Sequence, residues 1–369
     1  MILSKSLMNG SRKPIRRILT GVRPTGKLHL GHYVGALKMW VDLQEEDYDC
    51  FFLLADVQAL TTHAENPSLI EAAVREVTLD WLGVGLDPHR SNVHFVVQSW
   101  VRELPELYTY LSMVAPFSDV RRNPTLKEEM AAIEKKTVSL SEASKTTLGF
   151  IDYPVSQVAD IELFTPPAPH QKGDALLVPV GEDQVPHIEL TNRTVRNFNR
   201  TYNEVFLEAS ARVGEVPRLV GTDGQAKMSK SLGNVIQLAD PEEVVTKKVG
   251  QMFTDPRKLR QGDPGRPDIC PVYTYHQAFG SESNLLGSRD LQARAEACRQ
   301  GELGCVECKK ELAVALNNLL DPIRDRRAKA EKMALRKILE EGTARSREIG
   351  VQTLSAVRQA MHLGYPQIH

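Results

Sequence analysis

Two short stretches hold residue types that suit phosphate chemistry. The first is TGVRPTGKLHLGHYVGAL, Thr20 to Leu37, in which His29 and His32 stand three residues apart around Gly31. Two imidazoles at that spacing, at the opening of a helix, can both donate to one phosphate group. The free N–H groups and dipole of the helix start favour an anion at the same place. Gly31 removes a side chain where a ribose or base would lie, and Gly21 and Gly26 let the backbone turn tightly and approach a ligand. The second stretch is QAKMSKSLGN, Gln225 to Asn234, which sets Lys227 and Lys230 around Met228 and Ser229 on what must be a loop. Taken singly, the first is equally a glycine-rich strand-to-helix turn with two surface histidines, and the second a solvated turn or a phosphorylation site.

The elements around the first stretch support the chemical reading. Residues 15–20 read as a strand, 33–46 as a helix and 50–57 as a fully buried strand. Asn66 and Pro67 open a helix that ends near Gly83 and Gly85, and 92–98 is a further strand. This is the pattern of an α/β, Rossmann-type parallel sheet, whose ligands bind beyond the carboxyl ends of the strands. A helix over 104–115 follows, then a polar excursion over 119–149, a strand at 175–180 and a long helix at about 183–200. From about 235 onward the periodicity is helical, and a last helix over 344–362, capped by Thr343, is placed to return to the sheet. The expected division is an N-terminal extension (1–14), a catalytic unit (15–234), a helical unit (235–342) and a C-terminal helix (343–369).

The 369 residues carry a formal net charge of −1, so a polyanion-coating protein is not expected, although a local basic face can still meet phosphates. No run of about 18 apolar residues and no signal-peptide core are seen, which points to a cytoplasmic, non-membrane protein.

HLGH at 29–32 with KMSKS at 227–231, about 195 residues apart, resembles the paired signature of the class I aminoacyl-tRNA synthetases. The lead-in Thr20 to Gly26 is similar to the tryptophanyl and tyrosyl subclass. YPVSQVADI (Tyr153 to Ile161) and VPVGEDQVPHIELTNRTVRNFN (Val178 to Asn199) are similar to the tryptophanyl members. The resemblance implies a Rossmann-type catalytic domain, a C-terminal all-helical anticodon-binding domain, and a homodimer. It implies ATP with Mg²⁺, L-tryptophan and tRNA(Trp) as the molecules bound. The implied reaction is attack of the tryptophan carboxylate on the α-phosphorus of ATP, then acyl transfer to tRNA. No side-chain base is needed for the first step, so catalysis rests on positioning and charge stabilisation.

By the same resemblance His29, His32, Lys127, Lys227 and Lys230 serve the triphosphate. Thr20, Gly21, Arg23, Gly26, Gly31, Asp183, Met228 and Ser229 complete the ATP site. Tyr153, Gln157, Asp160, Val180, Gly181 and Gln184 form the tryptophan site, with Asp160 accepting the indole N–H and Tyr153 and Gln184 holding the α-amino group. Three positions depart from the common pattern: Arg23 for glutamine, Gln157 for methionine and Gln58 for histidine. The alternatives are a tyrosyl enzyme, a synthetase-like auxiliary protein with weak tRNA charging, and a simpler nucleotidyltransferase sharing only the first motif.

Of five cysteines, Cys270, Cys298, Cys305 and Cys308 follow C-x27-C-x6-C-x2-C. In a reducing compartment that clustering suits a metal more than two disulfides. A subset of tryptophanyl enzymes resembles this pattern and carries a [4Fe-4S] cluster. Zinc is the alternative occupant, and four unconnected apolar thiols the bland one; Cys50 is expected in the core. Between Lys309 and Lys337 nine basic residues face four acids, a candidate tRNA surface, and Tyr273, Tyr275 and His276 are candidates for base stacking.

Overall fold

The structure, a computed structural model, describes residues 12–136, 146–214, 219–224, 228, 232–260, 262–279 and 290–365. Its centre is a five-stranded, all-parallel sheet of β1 (Arg16–Val22), β2 (Asp49–Leu54), β3 (Val93–Val97), β4 (Ala175–Val180) and β5 (Ser210–Val213), in the order β3-β2-β1-β4-β5. The fourth and fifth strands lie on the far side of β1 from the second and third. Chain direction across the sheet therefore reverses next to β1, and the crevice beyond its carboxyl end is the expected ligand position.

Between β1 and β2 runs one helical segment with three parts, α1 (Leu30–His32), a wider π-type turn at Tyr33–Leu37, and α2 (Lys38–Leu43). After β2 come α3 (Asp56–His63) and α4 (Pro67–Val84). The latter is delimited as the sequence suggests. The Asn66 side chain accepts from Leu69 N–H, Pro67 sits in the first turn, and Gly85 closes the helix at φ 109°. Strand β2 is buried on both faces, as a continuous apolar run predicts. Cys50, Phe52 and Leu54 face one core with Trp81 and Phe95, while Phe51 and Leu53 face the other, where Phe51 meets Phe164 with ring centroids 4.3 Å apart.

After β3, α5 (Leu104–Ser112) is followed by α6 (Phe117–Arg122), α7 (Pro124–Lys136) and α8 (Leu148–Glu162). Of the polar excursion expected over 119–149, the described residues 119–136 are thus largely helical. Lys127 and Glu128 occupy the solvent side of α7 while Leu126 and Thr125 are buried. Then β4, α9 (Val185–Thr201) and β5 complete the sheet; β5 lies on the surface, and its four residues lack the apolar run that marks a buried strand.

The C-terminal part is helical: α10 (Glu242–Gly250), α11 (Pro271–Phe279), α12 (Leu291–Arg299), α13 (Cys305–Ala330) and α14 (Leu335–Ala360). The last of these starts well before Thr343, which is not a cap: it is buried mid-helix, where its hydroxyl accepts from the Val97 N–H at 3.1 Å. The helix does return to the sheet through that bond to β3, and its Arg347 and Arg358 pair with Glu103 and Glu106 at the start of α5.

The helical part is joined to the sheet part through one buried carboxylate. Asp80, on α4, is fully buried; one oxygen accepts the Leu28 N–H at 2.7 Å and the other pairs with Arg327 of α13, which also pairs with Glu76. Burial pushes the Asp80 carboxyl up to about 6 in spite of Arg327 and the Leu28 N–H, so desolvation outweighs the charge partner. Replacing Asp80 by Asn leaves Arg327 with half of its buried counter-charge and is expected to destabilise the protein by about 3 kcal/mol, read as a lowered thermal midpoint.

Candidate active site

A cavity of about 630 Å³ opens at the carboxyl ends of β1, β2 and β4. It brings together Thr20, Gly21, Arg23, His32, Tyr153, Gln157, Asp160, Val180, Gly181, Asp183 and Gln184, all expected from sequence. The whole expected tryptophan set is therefore in one place, together with Thr20, Gly21, Arg23, His32 and Asp183 of the ATP set.

Its deep end is built on Asp160, 3 % exposed near the end of α8. The carboxylate is not left alone there. Gln58 Nε2 donates to Oδ2 at 2.8 Å, and Gln98 Nε2 donates to Oδ1 and Oδ2 at 2.8 and 2.9 Å. The Gln58 N–H in turn donates to Gln98 Oε1 at 3.1 Å, so the two amides and the acid form one network. Burial pushes the Asp160 carboxyl up to about 7; the Gln98 hydrogen bonds oppose the rise, the Asp56 charge adds to it, and Gln58 opposes it. Sequence reasoning named Gln58 only as a departure from the common pattern, without a partner, and did not single out Gln98. The signal for Gln98 was positional, since it is the first residue beyond β3 at the carboxyl edge of the sheet.

The cavity's upper wall is set by α8 and α9. Tyr153 Oη lies 3.3 Å from His187 Nε2, and the other ring nitrogen of His187 is 3.4 Å from Asn123 Nδ2. Burial raises the Tyr153 phenol and lowers His187 to about 4, so near neutral pH both are uncharged hydrogen-bonding groups. The Thr125 hydroxyl donates to the Asp183 carbonyl at 2.7 Å and so ties α7 to the GEDQ turn. His187, Asn123 and Thr125 were also missed; a buried helix histidine carries no sequence signature that separates it from an exposed one.

At the phosphate end, His29 caps α1, its N–H donating to His32 Nδ1 at 3.2 Å, with the two ring centroids 3.9 Å apart. Gly26 holds φ 118°, as the tight turn requires. For Gly21 the reason differs from the one expected: a Cβ there would lie 2.2 Å from the Leu53 carbonyl, so β2, not a ligand, demands glycine. A Cβ on Gly31 would lie 3.0 Å from the His29 ring and 3.3 Å from the Met228 sulfur.

That last contact joins the two signature stretches, since Met228 is buried against Gly31. Backbone hydrogen bonds reinforce it, Leu30 N–H to Ile236 O and Leu238 N–H to Leu28 O, each 3.0 Å, around a bridge between His29 and Gln237. Lys227, Ser229 and Lys230 lie outside the described residues. Lys127 is exposed on α7 and does not line the cavity.

The matching family model is described as tRNA synthetases class I (W and Y), and it covers residues 11–321. The chain belongs to the class I tRNA synthetases of the W and Y family. Among its curated relatives, the tryptophan–tRNA ligase of Aquifex aeolicus is 40 % identical over 94 % of this chain and all of that protein. That of Streptococcus pneumoniae is 44 % identical over 96 % of this chain and 99 % of its own. Among solved structures, tryptophanyl-tRNA synthetase of Campylobacter jejuni complexed with ADP and tryptophan is 29 % identical, with a TM-score of 0.75, covering 94 % of this chain and 99 % of that one. The Mycoplasma pneumoniae tryptophanyl-tRNA synthetase is 25 % identical with a TM-score of 0.79, covering 96 % and 100 %. The class I synthetase family implies ATP with Mg²⁺.

Two peripheral expectations are corrected. Tyr275 is fully buried with its hydroxyl on the Val220 carbonyl at 2.9 Å, and buried His276 is 3.2 Å from the Cys308 carbonyl, so neither is placed to stack on a base. Tyr273 is only part-buried, its hydroxyl 3.3 Å from the Leu291 carbonyl. The basic stretch 309–337 is also less available than its count suggested. Lys309 is tied to the Gly250 and Met252 carbonyls, Arg324 to Asp240 and Asp321, Arg326 to the Gly83 carbonyl, and Arg327 to Asp80. Exposed Lys310, Lys329 and Lys332 remain on the surface.

Cys50 is in the core as expected. The other four cysteines converge from the turn before α11, from α12 and from the first turn of α13. Burial raises the thiols of Cys270, Cys298 and Cys308, the last to about 12, and charges of the other cysteines in the set add to the rise. Soft thiolate donors are what a thiophilic metal binds, and burial of Cys270, Cys298 and Cys308 favours their protonated form. Among the described residues, no three potential ligands stand close enough to hold one ion; no helix is long and apolar enough to cross a membrane.

The network around Asp160 gives a direct expectation. Gln98→Leu removes the amide nitrogen that donates to both carboxylate oxygens, so the Asp160 titration, followed by carboxyl-carbon NMR, is expected to move upward from its already raised position.

Proposed function

We infer that this protein activates L-tryptophan with ATP, forming tryptophanyl adenylate and pyrophosphate, and transfers the tryptophanyl group to tRNA(Trp). The observation that carries this reading is the single cavity in which a deeply buried carboxylate, Asp160, shares a site with the HLGH turn, against which the KMSKS methionine is packed. An indole offers a donor and no acceptor, so a buried carboxylate fixed by two glutamine amides is a suitable partner for it. Gln157, Val180 and Gly181 line the same pocket, and Tyr153 and Gln184 bound the space where the amino acid's polar end would lie.

In this scheme the tryptophan carboxylate is the nucleophile, and the protein's task is alignment and charge stabilisation. His29 and His32 at the start of α1 receive one part of the triphosphate, with Thr20, Gly21, Arg23, Gly26, Gly31 and Asp183 around the nucleotide. Lys227, Ser229 and Lys230 receive the other part; Lys127 is assigned to the phosphates by resemblance alone, since it is exposed on α7 outside the cavity. Mg²⁺ would neutralise phosphate charge as it builds toward the leaving pyrophosphate. The catalytic unit spans 15–234, and the helical unit from 235 meets the anticodon, with the final helix packed back on the sheet. Exposed Val57, Leu60, Met113, Phe117 and Leu148 on and around α3, α5, α6 and α8 supply an apolar face suited to a homodimer. The setting is cytoplasmic.

Cys270, Cys298, Cys305 and Cys308 would hold a [4Fe-4S] cluster, or zinc, as a clamp among α11, α12 and α13. Anaerobically purified protein is then expected to show an iron–sulfur absorption band, or stoichiometric zinc by elemental analysis. Colourless, metal-free protein would leave the four thiols as packing residues.

The deciding assay is pyrophosphate exchange with tryptophan, with tyrosine and without amino acid. Exchange dependent on tryptophan is expected, and a tyrosine preference would overturn the substrate. Lys230→Ala is expected to cut exchange by roughly 10²-fold or more with tryptophan binding nearly intact, and near-normal exchange in that variant would remove Lys230 from the site. Because the Asp160 carboxylate is a stronger acceptor for the indole N–H than the protonated acid, tryptophan affinity should fall as pH drops through about 7.

A further inference from the structure

Two glutamines hold the Asp160 carboxylate, and they must be held in turn. Both line a second cavity of about 690 Å³, and Gln58 also lines the cavity that contains Asp160, so packing does not fix their amides from every side. The rotatable bonds of a glutamine cost entropy when they are ordered, and a site that orders them only on binding loses that much affinity. Asp56, the first residue of α3, meets this need. Its Oδ1 accepts the Ser99 N–H at 2.9 Å and the Val57 N–H at 3.0 Å, and its Oδ2 accepts the Ser99 hydroxyl at 2.5 Å. Ser99 directly follows Gln98, and Gln58 lies one turn-position beyond Val57 in the same helix start.

The Asp56 carboxylate therefore staples the opening of α3 to the short helical turn Gln98–Trp100, and so joins the segments that leave the adjacent strands β2 and β3. One glutamine comes from each side of the staple, and both reach Asp160 on α8. The bond from the Gln58 N–H to Gln98 Oε1 closes the arrangement and turns the Gln98 nitrogen toward the acid. A helix cap alone does not account for Asp56, because a capping side chain directs its oxygen to its own first turn, whereas both oxygens here reach Ser99. Electrostatics does not account for it either. Burial raises the proton affinity of Asp160, the Gln98 hydrogen bonds oppose the rise and the Asp56 charge adds to it, so a second acid at this place makes an anionic Asp160 harder to keep. The benefit of Asp56 is geometric.

We propose that Asp56 is a positioning residue for recognition of the indole N–H: stapled to Ser99, it fixes Gln58 and Gln98, and through them the direction in which Asp160 offers an acceptor. This deepens the reading of the site as a tryptophan-activating one and rests on it. A carboxylate has about four acceptor positions. Gln58 takes one on Oδ2 and Gln98 bridges both oxygens, which leaves Oδ1 able to accept a further donor. Without the staple Gln98 can turn away, and the acid turns with it. The resulting loss is confined to ligands that carry a donor on the ring, because the amino-acid head and the nucleotide are met by other residues. Asp56 itself need not touch the substrate for this.

The test compares tryptophan with 3-(benzothiophen-3-yl)alanine, an analogue of like shape and charge in which sulfur replaces the ring N–H, by calorimetric titration of the full-length protein. Asp56→Ala is expected to weaken tryptophan by roughly tenfold and to leave the analogue nearly unchanged. Ser99→Ala, an exposed change at the other end of the staple, should do the same on a smaller scale. Asp56→Asn, whose amide can accept the Ser99 N–H and donate to the Ser99 oxygen, should restore most of the preference for tryptophan. In a Gln98→Leu background Asp56→Ala should cost tryptophan little more, since both act through one contact. Equal weakening of both ligands by Asp56→Ala, as a general structural role would give, overturns the proposal. So does unchanged tryptophan binding, an undiminished extra loss in the Gln98→Leu background, or an Asp56→Asn variant no better than Asp56→Ala. These results leave tryptophan activation standing, whereas absence of tryptophan-dependent pyrophosphate exchange in the unsubstituted protein would overturn both.

Discussion

The Asp80 carboxylate is the constraint on which the arrangement of the molecule rests. It is fully buried, and it answers two demands at once: the N–H of Leu28, one residue before the HLGH turn, and the guanidinium of Arg327 on α13. A buried acid with a raised affinity for its proton is a poor source of net stability. Its value is directional. The position of the helical part and the entry into α1 are referred to the same two oxygen atoms, so neither can shift without disturbing the other. Arg326, bonded to the Gly83 carbonyl beside it, adds a second tie between the same two helices.

A similar economy links the two signature motifs. They are distant in sequence, yet the strand-like segment after KMSKS runs antiparallel to the residues leading into HLGH, and Met228 packs where Gly31 has no side chain. The glycine thus has a packing role toward the second motif as well as the open role toward a ligand that its position in the first suggests. Met228 is held by apolar contact, and the segment after the motif by backbone hydrogen bonds to the residues leading into HLGH.

Much of this was legible in the residues. The alternation of apolar runs with amphipathic stretches gave the parallel sheet, the Asn66–Pro67 and Gly85 signals gave the limits of α4, and the motif residues converged on one cavity. What was not legible has physical reasons. Helix α7 reads as a polar excursion because it buries only a narrow apolar strip, and β5 is too short and exposed to show a period. Thr343 has the chemistry of a helix cap, but its hydroxyl is used across the fold instead, on a strand N–H some 246 residues away in sequence. Gln58 and Gln98 acquire meaning only through neighbours brought from other elements, which no local pattern encodes. The same holds for Arg324, Arg326 and Arg327, whose charges looked like surface and proved to be joints between helices.

The close seating of α14 on β3 has a further meaning. A Cβ at Gly342 would lie 2.2 Å from the Phe95 carbonyl, so helix and strand backbones touch, and the Thr343 hydroxyl takes the Val97 N–H. Strand β3 is one of the two outer strands of the sheet, the kind of row that can recruit a strand from another molecule. The final helix therefore acts as a lid on an open seam, and the other outer strand, β5, is kept harmless by being only four residues long. A chain with a large parallel sheet stays self-contained because its C-terminal segment is used as its border.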